Sequence, residues 1–469
     1  MFEIFRSARL RRLFLCETIL ILMVAVLSVR LRFGLGIAAD DPLSPENWPY
    51  WLQTCIAGVT IPIAVQLAMY YLDLYSSAPL PTRTQLLSRL FLAHLGAGVA
   101  LALIYYLVPT YRVQRLALAM TLTISSWLLF SLRYHLGEII YSGGWRRRVL
   151  IVGTGRLARR LARNIMARPG AGYEMAGFLS PQPLDPGTTL LSRPVLGSYR
   201  DLLLAVERNE VTDTVFAPDE QRGLDWLMVL MMNLKLGGTE VHSAVQFFET
   251  LEHCLPVELL RPSAVVFDKG FQPSRLSLTV KRALDLLISV IAVLLAAPLM
   301  LGTALLIRLD SAGPIFYRQQ RVGKGGKLFT IYKFRSMRVQ KPGEKDRLTD
   351  RNDDRITRFG RFIRLHRIDE LPQFFNVLLG DMSLVGPRPE VLYSVEELRK
   401  AIPFYDQRHA IKPGITSLGQ VRYGAATTID EARERLKYDL FYQKNMSLAF
   451  DLSILLDTVK VVLLRTGAR

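Results

Sequence analysis

Two adjacent carboxylates, Asp369 and Glu370, are the residues of this chain best suited to chemistry. Pro372 follows them and fits the first turn of a helix, where its missing N–H costs nothing. This places Asp369 at or near the helix N-cap and Glu370 just inside, where free backbone N–H groups favour anions such as phosphate. An ordinary helix cap with solvated charges is the alternative interpretation.

Carboxylates and phosphates repel each other, so a phosphate site at this pair needs cations. Lys333, Arg364 and Arg388 are the candidates for phosphate contacts, with surface salt bridges as the alternative for each. A Mg²⁺ ion held by a carboxylate and by substrate phosphates would supply further positive charge. The pattern therefore indicates phosphoryl chemistry on an anionic substrate.

Three motifs surround these residues in a fixed order. They are the basic segment 317–324, the segment 332–337 (Tyr-Lys-Phe-Arg-Ser-Met) and the segment 369–389, which ends in Gly-Pro-Arg-Pro. Together they closely resemble the catalytic domain of bacterial polyprenyl-phosphate sugar phosphotransferases, the monotopic phosphoglycosyl transferases. The resemblance covers residues 278–469, and four N-terminal apolar segments extend it to the large, undecaprenyl-phosphate galactose or glucose phosphotransferase-like form. The segment 421–425 departs from the common Asn-Gly-Arg ending and is closer to the exopolysaccharide branch, which leaves the sugar undetermined.

The resemblance implies a mechanism for the matching residues. Asp369 would attack the phosphorus next to the sugar of a UDP-sugar, release UMP and form an aspartyl phosphosugar. Glu370 would bind Mg²⁺, and Lys333, Arg364 and Arg388 would contact substrate phosphates. Undecaprenyl phosphate would then accept the hexose-1-phosphate, as a first membrane step of exopolysaccharide, capsule or O-antigen synthesis.

Composition indicates a membrane protein. Half of the 469 residues are hydrophobic and the formal charge is +18, whereas a soluble nucleic-acid-binding protein would share the charge but not the apolar runs. Four apolar stretches, at about 13–33, 51–72, 86–108 and 116–136, are each near the ~20 residues of a membrane-crossing helix. Arginines precede the first stretch and follow the fourth, so both ends of this four-helix transmembrane bundle (1–140) are predicted to lie in the cytoplasm, with the bundle in the bacterial inner membrane.

The next segment, 145–262, is predicted to be a Rossmann-like parallel α/β module. A strand runs into Gly153-Thr-Gly155, a near match to a dinucleotide-binding turn. The following strand ends at Ser180 without an acidic residue to hold a ribose. We therefore predict that the module does not require NAD or NADP.

The third segment, 278–469, is the predicted phosphoglycosyl transferase domain and opens with an apolar run from Ala283 to Ile307. Basic residues flank both ends of the run, and Pro298 near its middle gives a cause for a bend. We predict a re-entrant membrane helix over 281–308 that places the catalytic domain on the cytoplasmic face. The predicted fold class is thus a membrane protein of α and α/β type with three parts.

Two other functions remain open from sequence. A membrane-anchored nucleotide-sugar dehydratase or epimerase would need a Tyr-x-x-x-Lys pair, which the chain lacks. A membrane scaffold for polysaccharide assembly would not need the Asp369–Glu370 pair. The sequence also leaves open whether two copies form a homodimer.

Overall fold

The computed structural model describes most of the chain in two compact units, 1–247 and 248–469. The described residues are 8–34, 50–72, 74–75, 83–108, 113, 115–141, 147–168, 172–185, 187–218, 223–260, 269–271, 273–339, 353, 355–424, 426 and 428–464.

The first unit opens with four apolar helices. They are α1 (Ala8–Gly34), α2 (Tyr50–Tyr71), α3 (Arg83–Leu107) and α4 (Arg115–Tyr141). Helix α1 packs against α2 and α4, and α3 packs against the same two helices. Each helix is long and apolar enough to cross a membrane. Large apolar side chains such as Leu15 and Met23 point outward, whereas Glu17 is buried and pairs with Arg133 of α4 at 2.6 Å. Apolar outside with polar inside is the arrangement that a hydrocarbon surrounding favours.

A six-stranded α/β sheet follows these helices. Its strands are β1 (Arg147–Val152), β2 (Tyr173–Ser180), β3 (Thr189–Leu190), β4 (Arg193–Ser198), β5 (Asp213–Phe216) and β6 (Glu240–Ser243). The order is β3-β4-β2-β1-β5-β6, and every neighbouring pair is parallel except β3 with β4. Helices α5 (Arg156–Met166), α6 (Leu202–Arg208) and α7 (Asp225–Leu236) connect the strands, as the predicted alternation requires. The β3–β4 hairpin was not predicted.

Packing accounts for Gly153 at the end of β1. Its φ is +136°, and a Cβ atom there would lie 2.2 Å from the carbonyl oxygen of Ala217, which follows β5. A glycine is therefore required at this position to bring the two loops together, whether or not a nucleotide binds. The prediction about NAD stays a prediction.

The second unit holds the three sequence motifs around Asp369 and Glu370. The boundary between the two units falls within helix α8 (Ala244–Glu252). The helices that follow α8 in the second unit are α9 (Arg275–Asp310), α10 (Arg358–Leu365), α11 (Gln373–Leu379), α12 (Leu392–Ala401), α13 (Leu418–Arg422), α14 (Ile429–Lys444) and α15 (Leu448–Leu464). Strands β7 (Phe316–Val322) and β8 (Leu328–Phe334) form an antiparallel hairpin, and β9 (Ser383–Val385) pairs in parallel with β10 (Gly414–Thr416).

Helix α9 is a fifth apolar helix, 36 residues long, and it contains Pro298. Near its start, Arg282 donates hydrogen bonds to the carbonyl oxygens of Val377 and Leu378 at 2.6 and 3.1 Å. Near its end, Met300 and Ile307 pack into a core with residues of β8 and α10. The same domain therefore contacts α9 on both sides of Pro298.

Candidate active site

Asp369 and Glu370 lie in a 3₁₀ turn, Ile368–Glu370, which precedes helix α11. The predicted helix N-cap is wrong, because α11 begins only at Gln373 with Pro372 as its N-cap. Hydrogen bonds from Glu370 N to Arg367 O and from Leu371 N to Ile368 O tighten the chain before the helix. Arg367 enters this turn with a φ of +58°, in the left-handed region.

Strand β8 brings Lys333 to the pair, and Asn376 of α11 fixes the strand in place. The Asn376 side chain is fully buried; its Oδ1 accepts from Tyr332 N at 3.0 Å and its Nδ2 donates to Thr330 O at 2.7 Å. The side-chain amide of Asn376 thus makes, on either side of Ile331, the two hydrogen bonds that a neighbouring strand would otherwise make with β8. Tyr332, the residue before Lys333, is therefore hydrogen-bonded to α11, the helix that follows Glu370.

Glu370 is held between cations. Its Oε1 accepts from Lys333 Nζ at 2.9 Å and from Arg388 Nη2 at 3.2 Å, and its Oε2 lies 3.7 Å from Arg367 Nη1. Burial alone would raise the pKa of Glu370, but the charges of these three residues outweigh burial and lower it. Glu370 is therefore ionised throughout the physiological range.

Asp369 has the opposite electrostatic environment. Its side chain is only 8% exposed, and burial together with the neighbouring Glu370 charge raises its pKa to about 6. Lys333, Arg364 and Arg367 act in the other direction and limit the rise. Asp369 is a carboxylate at neutral pH with little solvation, which is the condition of a reactive oxygen nucleophile.

The structure brings together the predicted site residues from separate elements. Lys333 and Arg388 contact Glu370 directly. Arg364, in the last turn of α10, is half-buried and close enough for its charge to lower the pKa of Asp369, but among the described residues it does not hydrogen-bond to either carboxylate.

Sequence reasoning gave no role to Asn376, nor to the buried Arg408 and Asp439 that lie behind Arg388. The position of Asn376 inside the 369–389 motif was the only available signal. Arg408 and Asp439 look like solvated charges in the sequence, because polar residues in amphipathic segments normally face water.

The arrangement offers a nucleophilic oxygen beside fixed positive charge. Such a site can hold a phosphate and stabilise the charge that develops on its oxygens during transfer. Within the described residues no three His, Cys, Asp or Glu side chains form a metal-binding group. A divalent ion here would need substrate phosphates to complete its ligand shell, as is usual for Mg²⁺.

Comparisons with known proteins agree with this chemistry. The model of the bacterial sugar transferase family matches residues 276–465. The chain is 39% identical over 302 residues to the UDP-N-acetylgalactosamine-undecaprenyl-phosphate N-acetylgalactosaminephosphotransferase of Aeromonas hydrophila, covering 63% of this chain and 68% of that protein. It is 34% identical over 345 residues to the UDP-glucose:undecaprenyl-phosphate glucose-1-phosphate transferase of Xanthomonas campestris pv. campestris, covering 71% and 70%.

A third relative is the undecaprenyl-phosphate galactose phosphotransferase of Salmonella typhimurium, at 33% identity over 353 residues and 70% of each chain. These matches extend well beyond the catalytic motifs, and they confirm the family that the motifs predict. The chain is an enzyme of the membrane and belongs to the bacterial sugar transferase family of phosphoglycosyl transferases.

Proposed function

We propose that this enzyme transfers a hexose-1-phosphate from a UDP-sugar to undecaprenyl phosphate through a covalent intermediate on Asp369, and that it releases UMP. One observation carries the proposal: a buried carboxylate with a raised pKa lies beside a second carboxylate that Lys333 and Arg388 already neutralise. The two carboxyl groups thereby take different roles: Asp369 is the reactive group, and Glu370 is the group that binds cations.

In the first step a carboxylate oxygen of Asp369 bonds to the phosphorus that carries the sugar. The bond from that phosphorus to the bridging oxygen breaks, and UMP leaves with the bridging oxygen and its electron pair. In the second step an oxygen of undecaprenyl phosphate attacks the same phosphorus. The acyl phosphate bond breaks, Asp369 returns to its carboxylate form, and the product is a lipid-linked diphosphate sugar.

Glu370 would hold Mg²⁺ together with phosphate oxygens of the substrate. Its Oε1 accepts hydrogen bonds from Lys333 and Arg388 at 2.9 and 3.2 Å, whereas its Oε2 lies 3.7 Å from Arg367 Nη1. A bound Mg²⁺ would neutralise phosphoryl oxygens of the substrate. Lys333, Arg364 and Arg388 would contact the same phosphates, with Arg388 also keeping Glu370 in place.

The catalytic domain is proposed to work on the cytoplasmic face of the inner membrane, with α9 as a re-entrant helix. Arg282 and Ile307 are 25 positions apart, which would be about 38 Å along a straight helix and more than the hydrocarbon thickness. The domain contacts α9 near both positions. A water-soluble domain lies on one face of the membrane, so these contacts support placing both ends of α9 on that face.

The test uses full-length protein in membranes with radiolabelled undecaprenyl phosphate and separate UDP-sugars, beginning with UDP-N-acetylgalactosamine, UDP-glucose and UDP-galactose. We expect one sugar to appear in the lipid fraction with the wild type and not with Asp369→Asn. Folded wild-type protein that forms no lipid product with any of a broad panel of UDP-sugars would contradict the proposal.

A further inference from the structure

The segment Arg388-Pro389-Glu390 presents Arg388 to Glu370, yet it belongs to no helix or strand. Its three consecutive carbonyl oxygens are each held from outside the segment. Arg408 Nη2 donates to the carbonyl of Arg388 at 3.1 Å, Arg321 Nη1 to that of Pro389 at 3.3 Å, and Val322 N to that of Glu390 at 3.0 Å. Side chains and a strand edge therefore determine where Arg388 lies.

Arg408 is the most buried of these partners, with 1% of its side chain exposed. Besides the Arg388 carbonyl, its Nη2 donates to Asp439 Oδ2 at 2.7 Å, and its Nη1 donates to Tyr405 Oη at 2.7 Å. Asp439 lies on α14 and is equally buried. A planar guanidinium keeps several donors in one rigid plane, so the bond to Asp439 also fixes the donor that holds the Arg388 carbonyl.

Helix α14 contributes a second contact to the same segment. Arg435, one helical turn before Asp439, pairs with the Glu390 carboxylate, which also lies 4.0 Å from Arg408 Nη1. Residues four apart share a helix face, so both contacts come from one side of α14. Loss of the Asp439 charge would remove the carboxylate that lies 2.7 Å from the buried Arg408 and leave, among the described residues, only Glu390 at 4.0 Å, so we expect Arg408 to shift.

We infer that Arg408 and Asp439 are positioning residues of the active site: Asp439 orients Arg408, and Arg408 holds the backbone that aims Arg388 at Glu370 and the substrate phosphate. Among the described residues neither side chain hydrogen-bonds to Asp369 or Glu370, so both act through Arg388. The catalytic meaning rests on the proposed function, whereas the positioning itself does not.

A double-mutant cycle tests whether the pair acts through Arg388. The full-length enzyme carries Asp439→Asn, which preserves shape but removes charge, alone and together with Arg388→Lys. We expect Asp439→Asn to lower kcat/KM for the UDP-sugar about 10-fold in the wild-type background and by less than about 3-fold in the Arg388→Lys background. Equal losses in both backgrounds would mean that Asp439 is merely structural and would overturn the inference.

Asp451→Asn is the matched control. Asp451 is also buried and ion-paired, but its partners are Lys281 at 2.6 Å and Tyr442 at 2.6 Å, on α9 and α14. We expect it to lower the melting temperature as Asp439→Asn does, with an equal effect on kcat/KM in both backgrounds. Non-additivity of the same size for Asp451→Asn would overturn the assignment to Asp439.

Hydrogen exchange gives a readout that does not depend on activity. The amide of Val322 donates to Glu390, so it reports whether the segment stays in place. We expect this amide to exchange at least about 10-fold faster in Asp439→Asn and at an unchanged rate in Asp451→Asn. Unchanged exchange in Asp439→Asn would overturn the inference even in an active enzyme, and faster exchange would support the positioning even if the proposed transfer reaction failed.

Discussion

At the scale of the residue, two neighbouring carboxyl groups have opposite titration behaviour because their partners differ. Glu370 accepts hydrogen bonds from Lys333 and Arg388, which lower its pKa, whereas burial and then the Glu370 charge raise the pKa of Asp369 to about 6. Lys333, one of the cations that would contact phosphate, therefore lowers the pKa of both carboxyl groups, but for Asp369 burial and the Glu370 charge outweigh it. In the proposed mechanism, the reactivity of Asp369 depends on this difference between the two carboxyl groups.

The first step should follow the ionisation of Asp369. A protonated carboxyl is a poor nucleophile, so we expect the single-turnover rate of UMP formation to fall about 10-fold per pH unit well below pH 6 and to level off above pH 7. Rapid-quench measurements between pH 4.5 and 8 give this profile. A rate that stays constant down to pH 4.5 would contradict a raised pKa for the attacking carboxylate.

Asp369→Asn should abolish turnover and stabilise the fold at neutral pH. Because the folded-state pKa of about 6 exceeds the ordinary value of 3.8, the folded state binds more protons between these values, and stability decreases as pH rises through them. The asparagine side chain does not ionise, so the variant does not lose stability in this way as the pH rises. We expect the variant to melt roughly 2–6 °C higher than wild type at pH 8 and at about the same temperature near pH 4. A lower melting temperature at pH 8 would contradict the electrostatic description of the site.

At the scale of the element, the connection between β8 and α11 decides whether Lys333 reaches Glu370. Asn376 makes this connection with both ends of one amide. Asn376→Leu removes the partners of a half-buried backbone donor, Tyr332 N, and a half-buried backbone acceptor, Thr330 O, at a cost of up to about 1–3 kcal/mol for each group.

We therefore expect Asn376→Leu to lower both the melting temperature and kcat/KM. Asn445→Leu is its control, since Asn445 also bridges elements of this unit, through Glu249 and the Phe441 carbonyl. The control should lower the melting temperature alone. An Asn376→Leu enzyme with reduced stability and unchanged kcat/KM would show that the β8 connection does not position Lys333.

The sequence predicted the strand that leads to Gly153 and the strand that ends at Ser180, because buried apolar runs alternate there with helical patterns, but it did not predict the β3–β4 hairpin. The predicted start of α11 is wrong, because a proline at the N-cap cannot be told from a proline in the first turn by sequence alone. The left-handed conformation of Arg367, which creates the 3₁₀ turn, has no sequence signal at an arginine. The local geometry of Asp369 therefore could not be derived from the motif.

At the scale of the whole molecule, apolar length and basic flanks identified the five helices that, within the described residues, are long enough to cross a membrane. The same patterns do not reveal long-range partners. Lys333, Glu370 and Arg388 meet only because the β7–β8 hairpin, the 3₁₀ turn and the loop after β9 fold onto one another. The resemblance supplied these residues as candidates, and tertiary structure supplies the contacts between them.

The position of α9 in the membrane can be tested by cysteine labelling. In a variant without the native cysteines, Arg275→Cys and Asp310→Cys place thiols at the two exposed ends of the helix. We expect a membrane-impermeant maleimide to label both positions from the cytoplasmic face, because the same domain contacts both halves of α9. Labelling of the two positions from opposite faces would exclude a re-entrant helix.

The nucleotide product tests the central claim most directly. A covalent aspartyl phosphosugar keeps both the sugar and its phosphate, whereas a conventional glycosyltransferase breaks the bond between sugar and oxygen. Full-length enzyme is incubated with undecaprenyl phosphate and a UDP-sugar that is labelled in the sugar and in the phosphate next to it. We predict UMP as the nucleotide and both labels in the lipid product. UDP as the sole nucleotide, with only the sugar label in the lipid, would contradict the mechanism.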